Sequence, residues 1–189
     1  MSKTYNLVPL INLSKDIQLQ VLEIRNEEHI REWMFSQDTI SAEDHFDWIG
    51  QLKSDQSQLC LIILNEENMP VGSINLKKIN KPNKNAELGF YKTSKYNEKG
   101  LMTKGLFTII DYSFGVLGLE KLYTEVFEGN IKSINIHKKL MFIEEGYLRS
   151  HIINNGERIG VYLYGLLKNE WYNNVEKINT SNDFIVKLM

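Results

Sequence analysis

Three apolar strands, one long helix and a further strand follow one another in the middle of this chain, and that order constrains the fold more than any other feature. Short polar turns separate the apolar runs, as in an antiparallel meander. An apolar stripe at helical spacing begins at Met102, and Gly118 follows it. A strand that returns after a helical crossover pairs in parallel, so one parallel step is expected here. The strands are predicted at residues 58–64, 71–79, 86–93 and 122–128.

The flanking segments complete a mixed α/β architecture. A first strand and two helices precede the meander, while a helix at 132–145 and a closing strand pair follow it. The predicted fold is therefore α/β (α+β), with a mainly antiparallel central sheet of about seven strands flanked by about four helices. Residues 1–170 are expected to form a single domain, and residues 171–189 a tail that is partly docked or frayed.

Composition excludes several functional classes. The formal net charge is -2 and the basic residues are spread along the chain, which argues against nucleic-acid binding. The single cysteine, Cys60, excludes an internal disulfide and is expected to be a buried strand residue. No His, Cys or Asp spacing indicates a metal site. The absence of a signal-peptide pattern and of a membrane-length apolar run predicts a cytoplasmic protein.

The loop Asn97-Glu98-Lys99-Gly100 precedes the long helix. The start of a helix presents unpaired backbone N–H groups and the positive end of the helix dipole, which together bind phosphate. Gly100 would allow the backbone to approach a diphosphate closely, and Lys99 or Lys104 would add positive charge. A helix-starting loop with one glycine is also common as a simple connection, so the loop alone does not decide between these interpretations.

The following helix strengthens the first interpretation. Its run Asn130-Ile131-Lys132-Ser133, with His137, Phe142 and Gly146 further on, resembles the helix motif of the GNAT acetyltransferase superfamily. The loop resembles the CoA-diphosphate loop of that superfamily, and the element order agrees. Acetyl-CoA is therefore the expected co-substrate. By resemblance, the residues expected to hold it are Gly89, Phe90, Tyr91, Asn97, Lys99, Gly100, Leu101, Met102, Thr103, Lys104, Asn130 and Ser133.

The chain departs from the superfamily pattern at four positions. Asn97 replaces the usual Gln or Arg, and Met102 replaces a small residue. Met141 stands where Gly usually precedes Phe142. His137 stands where many members carry the Tyr that protonates the departing thiolate, so the resemblance gives His137 the role of general acid.

A second resemblance concerns the acceptor. Three segments, 25–34, 41–52 and 72–77, are similar to the PseH-type enzymes of pseudaminic acid biosynthesis. Those enzymes acetylate the 4-amino group of a UDP-linked 4-amino-4,6-dideoxy sugar, and a homodimer is common among such relatives. The nucleotide-linked amino sugar is thus the expected partner, with no nucleic acid or membrane. The residues expected to contact it are Arg25, Asn26, His45, Asn75, Lys77 and Tyr91.

Three residues are candidates for catalysis. Alternation along its strand places Glu125 with Tyr123 and Phe127, and aromatic neighbours remove water from a carboxylate, which favours a general base. A paired or solvated strand glutamate is an equally ordinary interpretation. His137 points inward, either as a packed core histidine or as the acid. The resemblance implies that Ser73 would orient substrate or water through its hydroxyl, and the alternative is a strand serine beside Gly72.

Two other functions remain compatible with the sequence. The first is acetylation of a protein or peptide N-terminus, since that branch shares the helix motif. The second is a non-catalytic acyl-CoA-binding module, in which Glu125 and His137 would be dispensable.

Overall fold

The computed structural model describes residues 3–178 and 184–189, and it contains one eight-stranded sheet with six α-helices within those ranges. The strands are β1 (Lys3–Pro9), β2 (Leu59–Leu64), β3 (Pro70–Asn80), β4 (Asn85–Lys92), β5 (Lys121–Phe127), β6 (Ile143–Asn154), β7 (Glu157–Leu167) and β8 (Phe184–Leu188). The helices are α1 (Lys15–Arg25), α2 (Glu28–Arg31), α3 (Ala42–Leu52), α4 (Leu101–Gly115), α5 (Ile131–Lys139) and α6 (Lys168–Asn174).

The sheet order is β6-β7-β5-β4-β3-β2-β1-β8. The meander β2-β3-β4 is antiparallel, and β4 pairs with β5 in parallel. Both features confirm the predicted mixed, mainly antiparallel sheet. The eighth strand is the C-terminal segment, which pairs in parallel with β1.

Helix α4 lies in the main core. Its apolar stripe is buried with residues of β1 to β5, among them Leu7, Ile63 and Ile74. A Cβ built on Gly105 would lie 2.9 Å from the Ile74 Cδ1 atom, so a larger residue at this position would force the end of the Ile74 side chain to move. Ser14 is the N-cap of helix α1, and its Oγ accepts a hydrogen bond from the Ile17 N–H at 3.4 Å, as is common for serine at this position. The core thus holds α4 rigidly against the sheet.

The helix expected at 132–145 is shorter in the structure. Helix α5 ends at Lys139, Met141 has a φ of 67°, and β6 already begins at Ile143. Leu140 and Phe142 are both buried, so the chain has to turn sharply between them. The residue between them therefore adopts the left-handed conformation although it is not glycine. The acidic residues Glu144 and Glu145 belong to the edge strand β6.

The segment expected to be a tail begins inside a helix. Trp171 of α6 is completely buried, its ring packs on Phe107, and its Nε1 donates to the Asp111 carboxylate. A polar composition concealed this helix, because a single large apolar residue supplies its contact with the core. Helix α6 and the four-residue α2 raise the number of helices from the predicted four to six. No helix in the described ranges has the length and apolar character needed to cross a membrane.

Candidate active site

A cavity of about 480 Å³ opens where β4 and β5 separate. The two strands pair only from Asn85–Lys121 to Glu87–Tyr123 and then diverge. Residues from both strands beyond that point line the cavity, together with residues from α1 to α3, β2, β3 and α5. Its volume lies within the range of small-molecule sites. The parallel crossover that the sequence predicts is therefore the feature that creates the pocket.

Gly89 lies on the cavity wall, in regular register with Asn75 of β3. A Cβ built there would meet nothing within 4 Å. Among the described residues, the strand therefore has neither a bulge nor a close approach of another backbone at this glycine. The space above Gly89 belongs to the cavity instead. Phe90 and Tyr91 follow it on the same wall.

Glu125 lies on β5 just past the last β4–β5 pair and lines the cavity. The strand alternates as expected, with Leu122, Thr124 and Val126 buried and Glu125 half-buried. Its carboxylate makes no hydrogen bond or ion pair with the residues that the structure describes. The carboxylate therefore has the freedom to accept a proton from a ligand in the cavity.

His137 is almost completely buried among the rings of Phe90, Phe142 and Tyr164. Its Nδ1 lies 2.9 Å from the Ser133 carbonyl oxygen, which can only accept, so Nδ1 carries the proton. Burial lowers the pKa of His137 to about 4. The imidazole is neutral at pH 7, and its buried Nε2 has no partner in the described chain. The lone pair of His137 is therefore on Nε2. The general acid expected from the resemblance would need a proton on that atom.

Arg25 stands at the end of α1, and its half-buried guanidinium lines the cavity. Its Nη1 is buried without a hydrogen-bond partner, and no carboxylate within residues 3–178 or 184–189 pairs with it. Burial lowers the pKa of Arg25, and the neighbouring Arg31 lowers it further. A guanidinium nevertheless stays charged at neutral pH. Lys77 lines the same wall and makes no ion pair with the described residues.

Two of the expected substrate residues have other tasks in the structure. The Asn26 side chain donates to the Ile40 carbonyl and accepts from the Ile40 N–H, both at 2.9 Å, and it does not line the cavity. It closes the loop that joins α2 to α3. His45 does line the cavity, but its Nε2 donates to the Gln18 carbonyl at 3.0 Å and burial lowers its pKa. His45 is therefore neutral and adds no positive charge for a diphosphate.

Ser73 is completely buried and does not line the cavity. Its hydroxyl contacts the Leu61 carbonyl and the Asn75 side chain, each at 3.2 Å, and Tyr91. The direct contact with substrate that the sequence suggested is excluded by this burial. Asn75 and Tyr91, which do line the cavity, connect Ser73 to it. Burial raises the pKa of Tyr91, so its hydroxyl stays protonated.

The loop at 97–100 leads into α4 as predicted. Gly100 is the N-cap with a φ of 81°, a conformation that favours glycine, and no side chain caps the helix. The Leu101 N–H donates to the Glu98 carbonyl at 3.4 Å, whereas the N–H groups of Met102 and Thr103 have no acceptor one turn earlier within the helix. Met102 fits because a Cβ on Gly72 would lie 3.3 Å from its Cε, so the glycine makes room for the long side chain. Residues 97–104 lie outside the cavity lining.

The start of α5 joins the cavity to the second motif. The Asn130 side chain caps the helix by accepting from the Ser133 N–H at 3.1 Å, and both residues line the cavity. Lys132 and, from the end of β4, Lys92 lie on the lining as well. The Lys92 ammonium donates to the carbonyls of Thr93 and Tyr96, and burial and Lys132 lower its pKa. Sequence reasoning missed both lysines, since isolated lysines carry no pattern.

The loop between α2 and α3 forms a wall that the sequence did not reveal. Trp33, Met34 and Phe35 line the cavity, and the ring of Phe35 packs edge-on against Phe127 at 4.9 Å. Phe35 is still 61% exposed. In the sequence the run Trp33-Met34-Phe35 was the only local signal, and its apolar character is equally typical of a helix that continues past Arg31. No group of three or more His, Cys, Asp or Glu side chains suited to a metal ion occurs in the described part of the chain.

Comparison with known proteins agrees with this geometry. Residues 7–143 match the acetyltransferase (GNAT) domain family. The putative ribosomal N-acetyltransferase YdaF of Bacillus subtilis is 28% identical over 82% of this chain and 86% of its own length. The uncharacterized N-acetyltransferase p20 of Bacillus licheniformis is 30% identical over 71% of this chain and 76% of its own length.

The fold is similar to that of a solved spermidine N-acetyltransferase. The Vibrio cholerae enzyme, in complex with CoA and spermine, superposes with a TM-score of 0.82 at 21% identity. The match covers 89% of this chain and 98% of that one. The chain belongs to the GNAT acetyltransferase family, and it is an N-acetyltransferase that takes its acetyl group from acetyl-CoA.

Proposed function

We propose that the protein acetylates the amine of a small acceptor that carries a phosphate group, with the 4-amino group of a UDP-linked 4-amino-4,6-dideoxy sugar as the preferred case. The observation that carries this proposal is the half-buried guanidinium of Arg25, which lines the cavity and whose buried Nη1 has no hydrogen-bond partner among the described residues. An unpaired buried cation costs stability, and the cost is offset when an anionic ligand supplies the missing partner.

The charges around the cavity support an anionic acceptor. Its lining includes the cations Arg25, Lys77, Lys92 and Lys132 and the carboxylates Asp44, Glu87 and Glu125. Glu87 is already paired with Lys78 at 2.7 Å, and Asp44 accepts a hydrogen bond from Ser41. The bond from the neutral Ser41 leaves the charge of Asp44 in place, so four cations stand against the two carboxylates of the lining that form no ion pair with described residues, Asp44 and Glu125. A diphosphate would complement such a wall.

The same charges argue against a polyamine. Several relatives are named as spermidine acetyltransferases, and spermidine is a polycation. A polycation binds best where free carboxylates outnumber cations, and this lining has the opposite balance. A peptide N-terminus, the acceptor suggested by the name of the ribosomal relative, carries no anion that requires Arg25.

The proposed reaction is direct transfer between the two bound substrates. The acceptor nitrogen attacks the thioester carbonyl, the C–S bond breaks, and the amine gives its proton to Glu125, directly or through water. A backbone N–H near Phe90 or Tyr91 would polarise the carbonyl oxygen. The coenzyme diphosphate would lie on the first-turn N–H groups of α4, and the cavity would hold the thioester end.

In this scheme the Nε2 atom of His137 can only accept a hydrogen bond. The Nδ1 N–H donates to the Ser133 carbonyl, and because the pKa of His137 is about 4, Nε2 carries no proton at neutral pH. We therefore assign protonation of the departing thiolate to solvent. A thiol has an ordinary pKa of about 8.5, so a thiolate leaves readily without an obligatory acid.

Release of CoA thiol tests the acceptor class. The protein is mixed with acetyl-CoA and one of three amines: the UDP-linked 4-amino sugar, spermidine, or a short peptide with a free N-terminus. The proposal expects kcat/KM for the nucleotide sugar to exceed that for spermidine by at least about tenfold, the value of one charged hydrogen bond. The same nucleotide sugar with its amine already acetylated is the control.

The other outcomes are equally informative. Preference for spermidine or for the peptide would overturn the phosphate-bearing acceptor and leave the acetyltransferase activity standing. Binding of acetyl-CoA with no thiol release from any acceptor would favour an acceptor outside these three classes.

A further inference from the structure

We propose that Lys3 is a positioning residue for the coenzyme, acting through Glu98. The Lys3 ammonium donates to the Glu98 carboxylate across 95 positions of sequence. Glu98 belongs to the loop that precedes α4 and lies two residues before its N-cap, Gly100. The inference rests on the proposed binding of the coenzyme diphosphate at the start of α4.

Glu98 presents an electrostatic difficulty for that loop. A carboxylate two residues before the N-cap carries the same sign of charge as a diphosphate bound at the helix start, so the two anions repel each other. Lys3 offsets the charge and draws the carboxylate toward β1. Glu98 in turn raises the pKa of Lys3 and contributes to the raised pKa of Tyr5, whose side chain it also contacts. The β1 strand thus holds the carboxylate on its own side of the loop.

The C-terminal strand fixes Lys3 in place. The β1–β2 pairing begins only at Asn6, whereas β8 pairs with β1 from Lys3 onward. The Thr4 N–H donates to the Glu66 carboxylate on the other side. The first residues of β1 therefore owe their strand conformation mainly to β8. Besides covering an edge of the sheet, β8 therefore orders Lys3, and Lys3 holds Glu98 of the loop at 97–100.

The test measures CoA binding, which does not depend on the identity of the acceptor. The variants are Lys3→Met, Lys3→Arg, Glu98→Gln and the double variant Lys3→Met/Glu98→Gln. Lys121→Met is the matched control, because Lys121 also begins a strand and forms an exposed ion pair, with Glu145 at 2.7 Å. Calorimetry gives the Kd for CoA at low and at high salt, and initial rates give the KM for acetyl-CoA and kcat.

The proposal expects Lys3→Met to raise both the Kd for CoA and the KM for acetyl-CoA by about two- to fivefold at low salt, the range of an exposed ion pair, with kcat unchanged. Salt should reduce the effect. Lys3→Arg should retain the wild-type affinity, and the double variant should recover it, because removal of both charges also removes the repulsion. Lys121→Met should bind CoA as the wild type does.

The role of Lys3 would be overturned if Lys3→Met bound CoA as tightly as the wild type. It would also be overturned if adding Glu98→Gln to Lys3→Met did not restore the affinity for CoA. Gly100→Val separates this failure from failure of the underlying site, since valine is strained at the positive φ of Gly100. If Gly100→Val weakens CoA binding and Lys3→Met does not, the coenzyme lies at the helix start and Lys3 does not position it. If neither variant changes CoA binding, the proposed coenzyme site itself is wrong.

Discussion

The two walls of the cavity respond differently to burial. On the wall formed by the amino-terminal half, burial lowers the pKa of Arg25, yet a guanidinium keeps its charge at neutral pH. On the opposite wall, burial lowers the pKa of His137 from 6.5 to about 4, and the imidazole loses its charge. Each side chain also has one buried nitrogen, Nη1 of Arg25 and Nε2 of His137, that finds no hydrogen-bond partner in the part of the chain that the structure describes. One wall therefore attracts anions, and the other offers a neutral hydrogen-bond acceptor.

Glu125 lines the same cavity from β5, and its replacement should have the largest effect on activity. Glu125→Gln replaces the carboxylate with a neutral amide that cannot take up the amine proton, and it keeps the size of the side chain. We expect kcat to fall by about 10²- to 10⁴-fold, with unchanged Kd for acetyl-CoA, as measured by thiol release and calorimetry. Glu157→Gln, at the exposed start of β7, is the control and should be fully active. Wild-type turnover at every pH would remove Glu125 from the reaction.

The neutral state of His137 predicts a pH-dependent stability. The folded-state pKa of about 4 lies below the ordinary 6.5, so the unfolded chain binds a proton first as the pH falls. The free energy of unfolding should decrease between about pH 6.5 and about pH 4, by roughly 3 kcal/mol in total. Urea unfolding of His137→Phe should lack most of this decrease.

The exposed His151 provides the control for that experiment, because His151→Gln should retain the wild-type pH dependence. His45, whose pKa burial also lowers, should leave a residual decrease in His137→Phe. If His137→Phe loses as much stability in acid as the wild type, His137 is not the buried neutral imidazole. If the pH–rate profile follows protonation of His137 near pH 7, the general-acid role regains support.

Arg25 tests the charged wall. Arg25→Met should raise the KM for a phosphate-bearing acceptor by about 10- to 100-fold, the value of a lost charge-assisted hydrogen bond, and leave the KM for acetyl-CoA unchanged. The variant should unfold at the same or a higher temperature, because the buried Nη1 has no partner in the described protein. Arg149→Met on the exposed β6 strand is the control. Lower stability with an unchanged acceptor KM would show that Arg25 has a structural role only.

The sequence was sufficient to predict the frame of the fold and the strand pair at which the cavity opens. Periodicity identified the meander and α4, and the crossover rule gave the parallel β4–β5 step where the cavity opens. The sequence did not indicate that Arg25 lines the cavity whereas Asn26 closes a loop, because the two residues are neighbours in the chain. The direction of a side chain at a helix end depends on tertiary packing, which no local pattern encodes.

The protonation state of a site residue was harder to predict from the sequence than its position on a strand or helix. The alternation of β5 placed Glu125 correctly on the half-buried face. The protonation state of His137 depends on the Ser133 carbonyl and on three aromatic rings from β4, β7 and the chain after α5. Two of these rings are distant in sequence from His137, so the sequence could not indicate how strongly burial lowers its pKa.

The smallest expected effect concerns the turn that ends the helix of His137. Met141 adopts a φ of 67°, which costs a residue with a Cβ about 1 kcal/mol relative to glycine. Met141→Gly and Met141→Ala lose the same packing of the methionine side chain, but only alanine keeps the strain. We therefore expect the glycine variant to have the higher free energy of unfolding, by about 1 kcal/mol.

At the exposed helical position Asn135 the order should be reversed, with alanine more stable than glycine. Urea unfolding of the four variants measures both differences. Equal stabilities at Met141 would mean that the chain relaxes at this turn, and the strict positioning of Leu140 and Phe142 would then not explain the left-handed residue between them.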